Sequence, residues 1–168
     1  MERPVEAMAS IYDQNLGQHQ ANYQPLTPLT FLERAASVFP DHVAVIHGNL
    51  KITYRQLYSR CRQLASALVQ QGIGTGDTVS VMLANTPAMI EVHYAVPMCG
   101  GVLHGINTRL DPPMIAFQLD HAESKVLITD LAFSETIASA LDLAAVEPLI
   151  IDYLDSQVPQ QGKMLGSH

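Results

Sequence analysis

The residues of this chain that could bind a phosphate are the glycines of GIGTGD, residues 72–77, and the pair Gly162 and Lys163. A dinucleotide-binding loop follows a strand and opens a helix. GIGTGD instead follows a helical pattern and precedes a strand, which favours a turn. At the second place, Met164 replaces the required hydroxyl residue and Gln157 stands where the first glycine belongs. Neither stretch therefore predicts a phosphate loop.

Nucleophilic and metal chemistry has little support in the residue types present. The sequence contains no Gly-x-Ser-x-Gly elbow, so a serine hydrolase is not indicated. Cys61 and Cys99 stand among apolar residues, where reduced thiols pack as small hydrophobes. No two of the seven histidines stand four residues apart beside a carboxylate, as helical zinc ligands do. We expect no metal site built from protein ligands and no catalytic residue.

Asn107 and Arg109 are the candidate ligand-side residues. They belong to a predicted turn, residues 107–110, that leaves the carboxyl end of a strand, where ligands bind in open α/β sheets. A salt bridge to Asp111 or to a neighbouring helix is the commoner role of an arginine in that place. Asp111 itself precedes Pro112 and is better suited to capping a helix than to acid catalysis.

Three histidines have structural interpretations. His93 lies in the middle of an apolar helical stretch, where a core or interface histidine is commoner than a catalytic one. His104 falls within a predicted buried strand. His121 stands near a predicted helix C-terminus, where the helix dipole favours positive charge.

Apolar periodicity and end signals predict the helices that must position these residues. Thr53 with Gln56 forms a capping box before an apolar stripe, and Gly72 lies just past the end of that helix. Thr30 with Glu33 predicts an earlier helix, which ends before a proline. Later helices are predicted to begin at Thr86, at Asp111 and near Leu131.

Five short apolar segments without alternation are typical of strands buried on both faces. They are VAVI (43–46), TVSVML (78–83), VLHGI (102–106), KVLI (125–128) and PLII (148–151). Their alternation with helices predicts an α/β fold, a mostly parallel sheet flanked by helices. In HVAVIHGNLKITY, residues 47–50 indicate a hairpin turn, so one antiparallel edge pair is expected near the N-terminus.

Composition narrows the classes of partner. The net charge is −7, and no cluster of basic residues could face a phosphate backbone, so nucleic acid is not an expected partner. The longest apolar stretch, residues 95–106, is interrupted and too short to span a bilayer. The first residues lack the pattern of a secretion signal. We expect a cytoplasmic chain with no membrane span.

Several motifs together resemble the N-terminal part of an acyl-CoA synthetase, a fatty-acid CoA ligase of the adenylate-forming, AMP-binding superfamily. The similarity covers residues 25–152. Its most specific elements are TYRQL, GIGTGDTVSVMLANTP, the Gly-Gly before a strand, INTRL and HAESKVLITD. The INTRL variant is similar to the branch that acts on short to medium fatty acids and related carboxylates.

The resemblance implies a ligase that uses ATP, Mg²⁺ and coenzyme A, and the fold of the first subdomain of its large domain. The family's phosphate-binding loop, nucleotide contacts and C-terminal lysine have no counterpart in these 168 residues. The resemblance therefore implies no cofactor bound by this chain alone and no activity without the remainder of the ligase. Uncovered apolar surface would favour pairing with that remainder or self-association. A free-standing α/β binding or regulatory module remains the alternative.

Three segments are expected from these observations. Residues 25–155 form the α/β subdomain. Residues 1–24 are polar and are expected to be a flexible N-terminal segment, and residues 156–168 a flexible tail or a truncation point.

Overall fold

A computed structural model describes residues 23–159 and 162–166, which form alternating helices and strands. In chain order, the elements are α1 (Pro28–Val38), β1 (Val43–His47), β2 (Leu50–Thr53), α2 (Tyr54–Gln70), β3 (Thr78–Met82), α3 (Pro87–Met98), β4 (Val102–Gly105), α4 (Pro112–His121), β5 (Ser124–Asp130), a 3₁₀ turn (Leu131–Phe133), α5 (Ser134–Leu141) and β6 (Leu149–Tyr153). The predicted flexible segment, residues 1–24, lies outside the described residues except for its last two.

Four strands form a parallel sheet in the order β4-β3-β5-β6. The predicted α/β fold, with a parallel sheet and flanking helices, is therefore confirmed. The predicted hairpin is also present, because β1 pairs antiparallel with β2. It differs from the expectation in one respect. The hairpin is a separate two-stranded sheet and not an edge pair of the main one.

The core has two halves, one on each face of the parallel sheet. On one face, Val79 and Val81 of β3 pack with Leu68 of α2 and Val92 of α3. On the other face, Met82 and Leu127 pack against α4 and α5. The central strands β3 and β5 are thus buried on both faces, as their unbroken apolar sequences predict.

The segment VLHGI does not fit the prediction of a strand buried on both faces. It forms β4 at the edge of the sheet, and Val102 is half exposed. Apolar composition fails to identify the edge because strand order depends on the crossover connections, which leave no mark on the residues of the strand itself.

Helix starts are mostly as predicted. Thr53 and Gln56 form the expected capping box of α2, with Gln56 N donating to Thr53 Oγ1 at 3.3 Å. The predicted pair Thr30 and Glu33 is wrong for α1. Thr27 is the cap, Thr30 N donates to its hydroxyl at 3.4 Å, and Pro28 occupies the first turn. The helix begins earlier because proline is suited to that first turn.

Two adjacent glycines join α3 to β4. Gly100 has φ +82°, and a Cβ there would lie 2.9 Å from Thr75 Oγ1. At Gly101, a Cβ would lie 3.1 Å from Val96 Cγ1. The first glycine supplies the left-handed conformation that ends the helix, and the second lets the chain turn closely into β4.

Candidate functional site

The strand order places a crevice at the carboxyl ends of β3 and β5. From β3 the chain passes to β4 on one side and then to β5 on the other, so the connections diverge between these two strands. Ligands of open α/β sheets bind at such switch points. Thr86 follows β3 there, Asp130 ends β5, and Tyr153 and Asp155 stand at the end of β6.

Two buried carboxylates face a cavity of about 250 Å³ at this end of the sheet. Asp130 is 7% exposed, and its Oδ1 accepts a hydrogen bond from Ala132 N at 3.0 Å. Asp155 is 6% exposed and accepts from Gln157 N at 2.9 Å and from His47 Nε2 at 2.8 Å. The Gln157 N–H, and then His47, hold the pKa of Asp155 below its usual range. The second carboxylate is therefore a fixed negative charge at neutral pH.

Thr86 stands on the other side of the crevice and precedes α3. It is 5% exposed and lines a cavity of about 230 Å³ together with His47 and Asn85. Among the described residues, no group meets its Oγ1 in hydrogen-bond geometry. The hydroxyl still lies near enough to Tyr153 to lower the phenol's pKa, while burial has the larger effect and raises it. The carboxyl ends of β3, β5 and β6 thus carry two carboxylates, a neutral phenol and a buried hydroxyl, and the carboxylates and the hydroxyl line two separate cavities.

We expect Thr86→Val to raise the free energy of unfolding by about 1 kcal/mol, because it removes a buried hydroxyl without a partner and keeps the shape. Thr129→Val is the matched control, since Thr129 Oγ1 donates to Met82 O at 3.4 Å and is fully buried. That variant should be less stable than the parent. Urea unfolding measures both. A loss of stability in Thr86→Val would show that the hydroxyl has a partner.

An ion pair between the half-exposed Arg60 and the buried Glu91 joins α2 to α3. Glu91 is 7% exposed, and its Oε2 accepts from Arg60 Nη2 of α2 at 3.3 Å. The hydrogen bond to Glu91 raises the pKa of Arg60, so the guanidinium is always charged. Because the pair joins two helices that cover one face of the sheet, it contributes to the position of the α3 N-terminus.

The predicted ligand-side residues lie elsewhere. Asn107 and Arg109 follow the edge strand β4 and are both exposed. Their contact is local, because Arg109 N donates to Asn107 Oδ1 at 3.0 Å. No ion pair of Arg109 is found within the described ranges. Asp111 accepts a hydrogen bond from Met114 N at 3.1 Å and so caps α4, as the sequence predicts.

Sequence analysis did not identify His47, Thr86, Asp130 or Asp155 as a group. A usable signal was present in two of them, since Thr86 and Asp130 stand three and two residues past the ends of predicted strands. Strand order was the missing information. It alone brings the ends of β3, β5 and β6 together, and β4 to the margin.

The helix N-termini at this end of the sheet offer few donors to a phosphate, and the described residues contain no cluster of metal ligands. Helices α3 and α4 begin with Pro87 and Pro112, so each lacks one N–H of its first turn. The Asp111 carboxylate already occupies the N-terminus of α4. Within the part of the chain that the structure describes, no three His, Cys, Asp or Glu side chains are grouped as metal ligands.

The turn GIGTGD behaves as predicted and connects α2 to β3. Asp77 Oδ2 accepts from Gly74 N at 2.9 Å, and its other oxygen pairs with Lys125 at 2.6 Å. The lysine, and then the Gly74 N–H, lower the pKa of Asp77. The carboxylate therefore closes the turn and is itself the anion in this loop, which leaves the glycines a structural role.

A second polar group, centred on buried Ser80 of β3, links β3 to its two neighbours β4 and β5. Ser80 Oγ contacts His104 Nδ1 at 2.8 Å and Ser124 Oγ at 2.5 Å. Burial, and then the charge of nearby His121, lower the pKa of His104. The imidazole is therefore neutral at pH 7 and joins three strands through one serine.

Stability should fall as the pH drops below about 6.5, the ordinary pKa of an unfolded histidine. The fold lowers the pKa of His104, so the unfolded chain binds a proton at a higher pH than the folded chain does. Protonation therefore favours the unfolded state and lowers the free energy of unfolding. The stability that neutral His104 contributes is fully present above about pH 6.5 and is lost as the pH falls towards the pKa of His104 in the folded protein. His104→Asn should flatten this part of a stability profile measured by urea unfolding between pH 7.5 and 5. An unchanged slope would contradict the assignment.

The two thiols should differ in reactivity. Burial raises the pKa of Cys61 to about 12, and its side chain is fully buried. Cys99 is partly exposed and lines a cavity of about 380 Å³ with Tyr58 and Arg62. Iodoacetamide should add once to the native chain, at Cys99, and not at all to Cys99→Ser. Intact-mass measurement of the treated proteins checks this. Adduct formation in Cys99→Ser would show that Cys61 is accessible.

No helix within the described ranges is long and apolar enough to cross a bilayer.

Comparison with known proteins gives one consistent result. The AMP-binding enzyme family matches residues 32–165. A peroxisomal acetate/butyrate–CoA ligase (AAE7) of Arabidopsis thaliana is 50% identical over 123 residues, which are 73% of this chain and 22% of that protein. An acetate–CoA ligase (CCL3) of Humulus lupulus is 47% identical over 133 residues, or 79% of this chain and 23% of that protein.

Among solved structures, a putative long-chain-fatty-acid CoA ligase from Rhodopseudomonas palustris superposes with a TM-score of 0.71 and 27% identity. The superposition covers 84% of this chain and 39% of that one. The chain thus spans about a fifth to a quarter of the length of the curated relatives it matches.

Proposed function

Because this chain belongs to the AMP-binding enzyme family, and is similar to the N-terminal part of its adenylate-forming acyl-CoA ligases, we propose that it is the first structural segment of such a ligase and is inactive alone. The match over residues 32–165 carries this proposal. Two facts support the lack of activity by itself. The chain spans about a fifth of its relatives' length, and its glycine-rich turn GIGTGD joins α2 to β3 instead of joining a strand to a helix, as a phosphate loop does.

The whole ligase joins a carboxylic acid to coenzyme A in two steps. The carboxylate oxygen attacks the α-phosphorus of ATP, and pyrophosphate leaves as acyl-AMP forms. The thiol of coenzyme A then attacks the acyl carbonyl, and AMP leaves. In this reaction the chain's own part is architectural. It supplies the four-stranded parallel sheet and the helices that cover it.

We propose short to medium carboxylic acids as substrates of the complete ligase. The INTRL segment, residues 106–110, is similar to the branch of the family that acts on such acids. Two relatives support it, because their names specify acetate or butyrate and acetate. A third, from Arabidopsis thaliana and 46% identical, is a benzoate–CoA ligase, so small aromatic acids belong in the same test.

The experiment compares the isolated chain with a chimaera in which its residues 32–165 replace the matched segment of the Arabidopsis acetate/butyrate ligase. Each is supplied with ATP, Mg²⁺, coenzyme A and a panel of carboxylic acids, and pyrophosphate release is measured. We expect release from the chimaera with acetate and butyrate, and none from the chain above a heat-treated control. Release from the chain alone would overturn its inactivity. A folded but inactive chimaera would overturn the ligase role.

The crevice at the carboxyl ends of β3 and β5 favours a second candidate, a free-standing binding module. Such a module uses a switch-point site and needs no further segment. Buried Thr86 and Asp130 are the observation in its favour. Solution mass separates the two, since a module would be a stable monomer and a segment with uncovered apolar surface would self-associate.

We propose that the protein is located in the cytoplasm, as its sequence indicates. Several relatives carry the word peroxisomal in their names, which makes the peroxisome the competing location. A fluorescent fusion of the complete protein, imaged with a peroxisomal marker, distinguishes the two.

A further inference from the structure

The two edges of the parallel sheet differ in how they are covered. At the β6 edge, Asp152 accepts hydrogen bonds from Leu165 N at 3.0 Å and Gly166 N at 2.7 Å. A Cβ on Gly166 would lie 2.8 Å from Ile150 O. Leu165 and Gly166 therefore lie directly against β6, and this edge has a neighbour from the chain itself.

The β4 edge has none among the described residues. Strand β4 pairs with β3 on one side and with no strand on the other. Its sequence, VLHG, contains no charged residue and no proline, the devices by which natural edge strands avoid pairing. An unprotected edge is a template for a further strand.

Backbone hydrogen bonds identify which groups of β4 are open. Val102 N donates to Asp77 O at 2.8 Å, and Ile106 N donates to Val81 O at 2.9 Å. In a parallel ladder the residues alternate in the side to which their N–H and C=O point. The N–H and C=O of Leu103 and Gly105 therefore point away from β3. Both residues can pair with another strand without loss of any existing bond.

Apolar surface flanks this open edge. Val102 lies on the same face of β4 as His104 by the two-residue period of a strand, and it is 50% exposed. On α4, Phe117 is 59% exposed and stacks on His121 with ring centroids 5.7 Å apart. Ile106, directly after β4, packs in one cluster with Ile115 and Leu119 of α4, so this helix lies beside the end of the strand. An added strand would find an apolar side to pack on.

We propose that the free edge of β4, which carries the exposed side chain of Val102, pairs through Leu103 and Gly105 with a β-strand from the remainder of the same ligase. This inference rests on the proposed function. The chain spans about a fifth of the length of its relatives, so most of the family polypeptide lies outside it and can supply the strand. A strand from within one polypeptide also needs no excess of partner, because its effective concentration is high.

Hydrogen–deuterium exchange of the chimaera described above tests the proposal directly. In the isolated chain at low concentration, the amides of Leu103 and Gly105 should exchange fast, while Val102 and Ile106 are protected. In the chimaera, both outward amides should slow by roughly tenfold or more, the value of one added hydrogen bond. Val102 and Ile106 serve as internal controls because they bond to β3 in both proteins.

A matched pair of variants adds a second measurement. Gly105→Pro removes an outward N–H, and no heavy atom lies within 4 Å of a Cβ at this position. Gly105→Ala keeps the N–H and is the control. We expect the proline variant to lose Leu103 protection and lower the melting temperature of the chimaera, but to leave that of the isolated chain near its alanine counterpart.

The outcomes separate the two proposals. An active chimaera with fast exchange at Leu103 and Gly105 would overturn the β4 pairing and leave the ligase role intact. A folded, inactive chimaera would overturn the ligase role. Protection that appears in the isolated chain as its concentration rises would assign the edge to a second copy instead, and would overturn the proposed partner.

Discussion

Leu127→Ala should lower the free energy of unfolding by about 3 to 4 kcal/mol, because Leu127 is fully buried in the central strand β5. It contacts the half of the core that β5 shares with α4 and α5. Removal of its side chain leaves a cavity that the close-packed sheet cannot fill. Thermal unfolding should show a midpoint roughly 10 °C lower.

Leu143→Ala is the control for this change, since Leu143 is 59% exposed and the same atoms are removed. It should stay within about 0.5 kcal/mol of the parent. A Leu127→Ala protein as stable as the control would mean that β5 is not the central strand of the sheet. The crevice at the carboxyl end of β5 would then be in doubt as well.

Arg60→Met should lower the free energy of unfolding by about 2 kcal/mol, because it leaves the Glu91 carboxylate buried without its partner. Loss of one member of a fully buried pair costs about 3 to 5 kcal/mol. The smaller value is expected here because the Arg60 side chain is 49% exposed and water can approach the vacated space. Urea unfolding gives the difference.

Arg55→Met provides the matched comparison. Arg55 also lies on α2 and pairs with Asp41 at 3.3 Å, but both side chains are exposed, at 66% and 86%. Exposed pairs contribute little, so the loss should be no more than about 0.5 kcal/mol. Equal effects of the two substitutions would show that the Arg60–Glu91 pair has no special part in holding α3 against α2.

Local sequence was sufficient for much of the fold. The stripe that follows Thr53 predicts α2, and the capping box with Gln56 predicts its first residue. Both signals act within a few residues, so tertiary structure has little to change. The predicted start of α1 was wrong by only three residues, because it also depends on local signals. Two threonines three residues apart could each cap, and Pro28 decided between them by its preference for the first turn.

The family was also within reach of the sequence. The motifs from TYRQL to HAESKVLITD lie in and between the elements of one α/β subdomain, and the match over residues 32–165 confirms the resemblance. The position of the candidate site was not. Arg109 follows one strand and Asp130 ends another, and no local signal shows which of the two strands lies at the centre of the sheet.

What the sequence determined by itself was the set of elements and their family, because turn residues, caps and apolar periods are local signals. What only the tertiary structure decided was the order β4-β3-β5-β6. That order buries Asp130 at the switch point, leaves Arg109 at the margin and opens one side of Leu103 and Gly105. The physical reason is that strand neighbours are set by the packing of crossover helices, a long-range choice for which an unbroken apolar strand carries no local sign.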